Sequence, residues 1–244
     1  MWPAAAGRQR AQQETEGAPR GFVPSCVTPR RNPSVLTFYD YLPSQNGWKI
    51  RQLLKHLGLP HRTVLVSIFE GAGQRPEFLR INPTGTVPAI ELDDGRTLAE
   101  SNAILAYLAE GTPYLPGDAF GRAKVLQWLS FEQERVESVI GSLRYWTLTG
   151  QLAKRGPAMV ELKWTAGLRA LSILDAQLTS RPYIAGERYT IADISLFAYL
   201  RLAGEAGFDL APYTHLRTWF DRVESQPGHV AERYPYSIDP HAPQ

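Results

Sequence analysis

Pro88 stands at the mouth of a short apolar run, residues 89–92, where a strand is expected. A proline there removes one ladder donor and fixes the local dihedral, which confines that strand to an entrance or an edge. A cis Val87–Pro88 bond would account for it, by turning the preceding amide and carbonyl outward to where an extended peptide can pair with them. The proline closes the stretch Asn82-Pro83-Thr84-Gly85-Thr86-Val87-Pro88, and Glu100-Ser101 follows at an expected helix start. That dipeptide offers a carboxylate to an ammonium, and a hydroxyl with free N–H groups to a carboxylate. The two features together predict a site for a small peptide with a zwitterionic amino-acid end.

The surrounding pattern supplies a scaffold. Residues 35–41 are β-branched and aromatic and predict a strand, and 42–47 predict a turn. Trp48, Ile50, Leu53, Leu54 and Leu57 recur at helical spacing up to Gly58. A second strand is expected over 61–67, a short helix over 76–80 with Pro76 in its first turn, and strands over 89–92 and 97–99 around Asp93-Asp94-Gly95. A helix over 100–110 completes the order βαβαββα, a parallel βαβ unit followed by an antiparallel hairpin. After residues 112–120 the pattern becomes wholly helical, with helices expected over 121–149, 157–178, 191–204 and 213–225. A strand-rich half followed by a helical half predicts two packed domains, 35–111 and 121–230, joined by 112–120. Thr190-Ile191-Ala192-Asp193 reads as a capping box with Tyr189 and Ile194 as a staple, a folding device with no implied chemistry.

Bulk properties exclude several functions. The formal charge is +2 over 244 residues. Residues 1–34 carry five Arg and two Glu, so the remainder sits at minus one and nucleic acid is not expected as a partner. No run approaches the length of a membrane helix. The single Cys, Cys26, excludes an internal disulfide and a Cys-based metal site, and the five His are scattered without ligand spacing, so no metal is expected. The 1–34 leader is rich in Ala, Arg, Gln, Gly and Pro and has no apolar core for a secretory signal. It reads as a disordered extension, 231–244 as a loose tail, and the protein as cytoplasmic.

Pro43-Ser44-Gln45-Asn46-Gly47-Trp48-Lys49-Ile50, Pro76-Glu77-Phe78-Leu79, residues 82–88, residues 100–105 and the box at 190–193 together resemble the cytosolic glutathione S-transferases of bacterial type. The Pro-x-x-Asn-Gly-x-Lys-Ile pattern is similar to the nu-class and yeast prion-regulator-like branches. The resemblance implies a thioredoxin-like N-terminal domain, an all-helical C-terminal domain, glutathione as co-substrate and a homodimer. It also implies that the protein conjugates glutathione to an electrophile, or uses it to reduce a disulfide or peroxide. A non-catalytic binding or assembly module on the same fold is the alternative, and an isomerase or dehalogenase a third reading.

Glutathione meets the description that Val87 and Glu100-Ser101 set. Its thiol, with a pKa of about 8.5, is only a few per cent ionised at neutral pH, and the thiolate is the nucleophile. Ser44 and Asn46 fall between the first strand and first helix, where hydroxyl and amide donors and a helix N-terminus can face one sulfur. In thioredoxin relatives this turn carries Cys-x-x-Cys; here it has no thiol and must borrow one. Ser44 and Asn46 equally suit a turn with a helix cap, and their ranking as thiolate donors stays open. Val87 and Pro88 suit peptide pairing or a purely structural cis proline. Glu100 and Ser101 suit the γ-glutamyl end, as the family implies, or a plain acidic helix start. Gln74 and Arg75 are candidates for the glycine carboxylate, or a solvated loop. Gln133, Glu137, Ile140 and Arg144 follow i, i+4, i+7, i+11 and are expected on one face, continued by Tyr145 and Trp146, as a second-substrate wall or as interhelical packing.

Overall fold

The computed structural model describes residues 35–236; the leader with Cys26, and residues 237–244, lie outside the described residues. Strand β1 (Leu36–Asp40) is central, pairing in parallel with β2 (His61–Leu65) and antiparallel with β3 (Ala89–Glu91), which pairs antiparallel with β4 (Thr97–Ala99). The sheet order is β2-β1-β3-β4. Phe38 and Ile90 are fully buried on it, whereas β2, opening His-Arg-Thr, is a solvated edge that stops two residues short of the sequence expectation.

Helix α1 (Gln45–Leu57) covers the sheet. It begins earlier than the sequence pattern suggests, because Ser44 caps it: the Ser44 hydroxyl accepts from the Gly47 N–H at 3.1 Å. Asn46-Gly47 therefore lies in the first helical turn. Gly47 is required there by close approach, since a Cβ would meet the Asp40 carboxylate at 2.0 Å. Asp40 in turn pairs with Arg51 one turn along. Gly58, at φ 57°, closes the helix through backbone bonds to Leu54 and Lys55. The short α2 (Pro76–Leu79) and α3 (Ser101–Ala109) complete this half.

The helical half contains α4 (Ala119–Phe131), α5 (Ser142–Leu148), α6 (Pro157–Leu178), α7 (Ile191–Leu200) and α8 (Thr214–Glu224). The single helix expected over 121–149 is instead α4 and α5 separated by a ten-residue π-helical stretch, Glu132–Gly141. Every residue of α7 is buried, and α7 packs against α1, α3, α4 and α8. Its start is the capping box read from the sequence. Thr190 accepts from the Ala192 N–H, and Asp193 accepts from the Thr190 N–H at 2.9 Å, with Ile184 N–H and the Trp219 indole on its other oxygen. The α1–α7 contact is sealed by Trp48, fully buried, with the Arg201 guanidinium 4.3 Å from its ring centre. Beyond α8 the chain turns back onto α1. The Trp48 indole donates to the Val230 carbonyl at 2.9 Å, and Gln52 accepts from the Val230 N–H at 2.8 Å. Tyr236, expected in a loose tail, is thereby carried into a nest of Tyr41, Phe69 and Tyr145 with Arg144 over its ring.

Candidate functional site

A cavity of about 420 Å³ opens where the α1 N-terminus, the turn before β3, the α3 N-terminus and the π stretch converge. Ser44, Asn46, Val87, Pro88, Glu100, Ser101 and Glu137 line it, together with Ile68, Gly85, Thr86, Tyr199 and Tyr236. The Val87–Pro88 bond is cis. A larger cavity of about 490 Å³, between residues 112–121 and 185–190, has Thr112 and Thr190 in its wall, both with hydroxyls engaged in local backbone bonds. The smaller cavity, where the expected site residues gather, is the candidate site.

Donors converge on one side. The Ser44 lone pair serves the helix cap, and this leaves its O–H proton uncommitted to the cap. The Asn46 amide nitrogen donates to Glu137 Oε1 at 2.7 Å, and its oxygen accepts from the Ser101 hydroxyl at 3.1 Å. A carboxylate can only accept, so this amide orientation follows from the chemistry. Lys49 Nζ lies 3.4 Å from the Ser101 oxygen, 2.9 Å from Glu132 Oε1 and 3.5 Å from Glu137 Oε2. Lys49 and Glu132 have no solvent exposure. Hydrogen bonds thus run from the Lys49 ammonium through Ser101 to Asn46, and polarise the amide of a residue that lines the cavity. Burial pushes the Glu132 carboxyl above its ordinary range; Lys49 pulls it back, and Glu137 adds to the rise. Asn102 ties Glu132 at 3.0 Å to the Ser195 hydroxyl of α7 at 2.6 Å, which fixes the cluster between both halves.

Glu100 holds the one positive φ outside glycine among the described residues, at 66°. This left-handed backbone costs about 1–3 kcal/mol for such a residue, and it stands where Glu100 meets the cavity. Ser101 begins α3, so the sequence pair straddles the helix boundary, with Glu100 as the cap residue.

The other expected residues lie further from the cavity wall. Gln74 packs against Gly85, where a Cβ would come 2.3 Å from its amide nitrogen, and Arg75 faces a separate cavity beside Tyr39 and Phe78. Of the stripe expected over 133–144, Gln133 and Glu137 meet one turn apart at 3.2 Å, whereas Arg144, beyond the π stretch, is buried and pairs with Glu205 at 2.6 Å. Tyr145 and Arg144 act one layer behind the cavity, on Tyr236. Sequence reasoning assigned no role to Lys49, Glu132, Tyr199 or Tyr236. Lys49 had a signal, its place one turn after Asn46 in the quoted pattern; Tyr236 had none.

A four-stranded mixed sheet with a cis-proline turn before β3, followed by an all-helical half, defines a thioredoxin-like domain joined to a helical one. Residues 43–110 match the N-terminal domain of glutathione S-transferase and residues 152–227 its C-terminal domain. The chain is 32% identical over 194 residues to the disulfide-bond oxidoreductase YfcG of Escherichia coli (strain K12), spanning 77% of this chain and 89% of that protein. The crystal structure of a glutathione S-transferase from Pseudomonas fluorescens Pf-5 aligns at 41% identity and TM-score 0.77, over 81% of this chain and 98% of the other. A Pseudomonas putida glutathione transferase with one glutathione disulfide bound per subunit aligns at 27% identity and TM-score 0.72, over 82% and 91%. The chain belongs to the glutathione S-transferase family. No helix among the described residues is long and apolar enough to cross a membrane.

Proposed function

We propose that this chain is a glutathione-dependent enzyme that holds the tripeptide sulfur as an anion beside Asn46 and Ser44 and directs it at an electrophile or a disulfide. The observation that carries this reading is the gathering of Ser44, Asn46, Val87, Pro88, Glu100 and Ser101 around one cavity of tripeptide size. Val87 pairs its backbone with the cysteinyl residue by strand addition. Glu100 takes the γ-glutamyl ammonium, and Ser101 with the α3 N-terminus takes its carboxylate. Gln74, through its packing on Gly85, is better placed than Arg75 for the glycine carboxylate. Tyr145, Arg144 and Gln133 shape the second-substrate side through Tyr236 and Glu137.

The described residues contain no Cys, so reduction of a disulfide consumes two glutathiones: the first forms a mixed disulfide, and the second releases it as glutathione disulfide. The glutathione disulfide bound by the P. putida relative and the name of the E. coli relative favour this branch over conjugation. Exposed Tyr107 on α3 and exposed Phe120 and Leu126 on α4 support a homodimer through these helices. A glutathione-rich cytoplasm suits the enzyme.

The test is glutathione-dependent turnover of a chloronitroarene and of a mixed disulfide. Turnover of either supports the reading. Retention on immobilised glutathione without turnover of either would make the chain a binding module instead.

A further inference from the structure

Glu137 does more in this geometry than border the cavity. One oxygen accepts from the Asn46 amide at 2.7 Å; the other accepts from Gln133 and lies 3.5 Å from the Lys49 ammonium. Lys49 is shared with Glu132, so two carboxyl side chains face one buried cation. The titratable and charged groups around Glu137 are Lys49 from α1, Glu132 on its own stretch, Tyr199 from α7, Arg144 from α5, Tyr236 from the C-terminal segment and, on the same cavity wall, Glu100 before α3. Arg144 is engaged by Glu205, and burial pushes both tyrosine hydroxyls up, so they stay neutral near pH 7. Lys49 is therefore the one cation in that group not committed to a partner outside the cluster, and it is already outnumbered.

A thiolate formed beside Asn46 with its proton sent to solvent would add a negative charge with no further cation to balance it, against a wall that excludes water from Lys49 and Glu132. A thiolate whose proton moves to the adjacent carboxylate leaves the total unchanged. We propose that Glu137 accepts the glutathione thiol proton as the tripeptide docks on Asn46 and returns it to the leaving sulfur; this rests on the function proposed above. The S–H bond breaks with its electron pair left on sulfur, and an O–H bond forms on Glu137. The thiolate then attacks one sulfur of a disulfide. The S–S pair departs on the other sulfur, which takes the proton back from Glu137. Free thiol and free carboxyl differ by about four pKa units. The gap narrows from both sides: Asn46 and Ser44 donors lower the thiol, and the new anion raises the carboxyl next to it.

The test is calorimetric titration of the full chain with reduced glutathione near neutral pH, in buffers of different ionisation enthalpy, which counts the protons released. Thiolate absorbance is followed on the same samples. Glu137→Gln keeps an acceptor for Asn46 and leaves Lys49 paired with Glu132, and Glu137→Asp serves as a second variant that retains the acid. The wild-type protein is expected to form thiolate with almost no proton released. Glu137→Gln is expected either to release about one proton per site or to leave the ligand as thiol. Its disulfide turnover falls about 100-fold or more in kcat with KM nearly steady, and Glu137→Asp recovers proton retention. Equal proton release with thiolate formed in both wild type and Glu137→Gln would overturn the proposal while leaving the glutathione site standing. Weaker binding with thiolate still formed and an unchanged proton count would also overturn it, marking Glu137 as a counter-ion for the ligand ammonium. Neither heat nor thiolate in the wild-type protein would remove both readings together.

Discussion

Replacing Asn46 with alanine removes the 2.7 Å bond to Glu137 and the 3.1 Å bond from Ser101, and with them the amide donor on the cavity wall. The fold should scarcely notice. Glu137 is 22% exposed and can take water, and the Ser101 oxygen keeps Lys49. Alanine also favours the first helical turn, so the net stability loss should stay within about 1 kcal/mol. The chemistry should notice strongly. A hydrogen bond to an anion contributes about 1.5–3 kcal/mol, which is about one to two pKa units on the bound thiol. The thiolate fraction near neutral pH then falls toward the few per cent of free glutathione, and kcat/KM falls about 10- to 100-fold. Ser44→Ala gives the contrast: it loses the α1 cap at 3.1 Å and should cost about 1 kcal/mol or more in stability as well as activity. The assay is ultraviolet titration of the bound thiol, with kcat/KM and urea unfolding on the same preparations. An Asn46→Ala protein with an unaltered thiol titration and unaltered kcat/KM would refute the reasoning.

The buried cluster yields two further predictions. Lys49→Met strands the unexposed Glu132 without its cation and should destabilise by about 3–5 kcal/mol in urea unfolding, with much of that recovered by adding Glu132→Gln. Simple additivity of the two losses would contradict the pairing. Burial pushes the Asp193 carboxyl from 3.8 up to about 6, so the folded state holds its proton more tightly than the unfolded chain does. That contribution is fully present below the unfolded value and is lost as pH rises through about 6. The unfolding free energy of wild type relative to Asp193→Asn should therefore fall by about 3 kcal/mol between roughly pH 4 and 6. A difference that is flat or rising over that window would contradict it.

Much of this molecule could be read before its structure, and the exceptions have physical causes. The β1 run, the α1 stripe from Trp48 to Leu57, the Thr190–Asp193 box and the place of Pro88 are local signals, in which neighbouring residues carry the information themselves. The turn expected over 42–47 is present at 42–44 but gives way to α1 from Gln45, because Asn-Gly is a turn signal only until a capping hydroxyl recruits it into a helix, as Ser44 does. The π stretch was invisible because its composition suits an α-helix equally well; what differs is a backbone register set by packing against α6 and α7. Lys49 reads as a surface residue by type, and only the meeting of Glu132 and Glu137 across the two halves buries it. Tyr236 has no periodicity to betray it. Its position depends on the Val230 backbone docking on Trp48 and Gln52, a contact between residues far apart in the chain.

In the proposed complex one glutathione lies along Val87 with its sulfur at Asn46 and its γ-glutamyl end at Glu100 and Ser101. A crystal structure of the chain soaked in reduced glutathione tests this most directly. It should place the sulfur within hydrogen-bond reach of the Asn46 amide nitrogen, the cysteinyl backbone paired with Val87, and the terminal carboxylate at the α3 N-terminus. A tripeptide bound with its sulfur away from Asn46, or no tripeptide in the cleft at millimolar concentration, would contradict it.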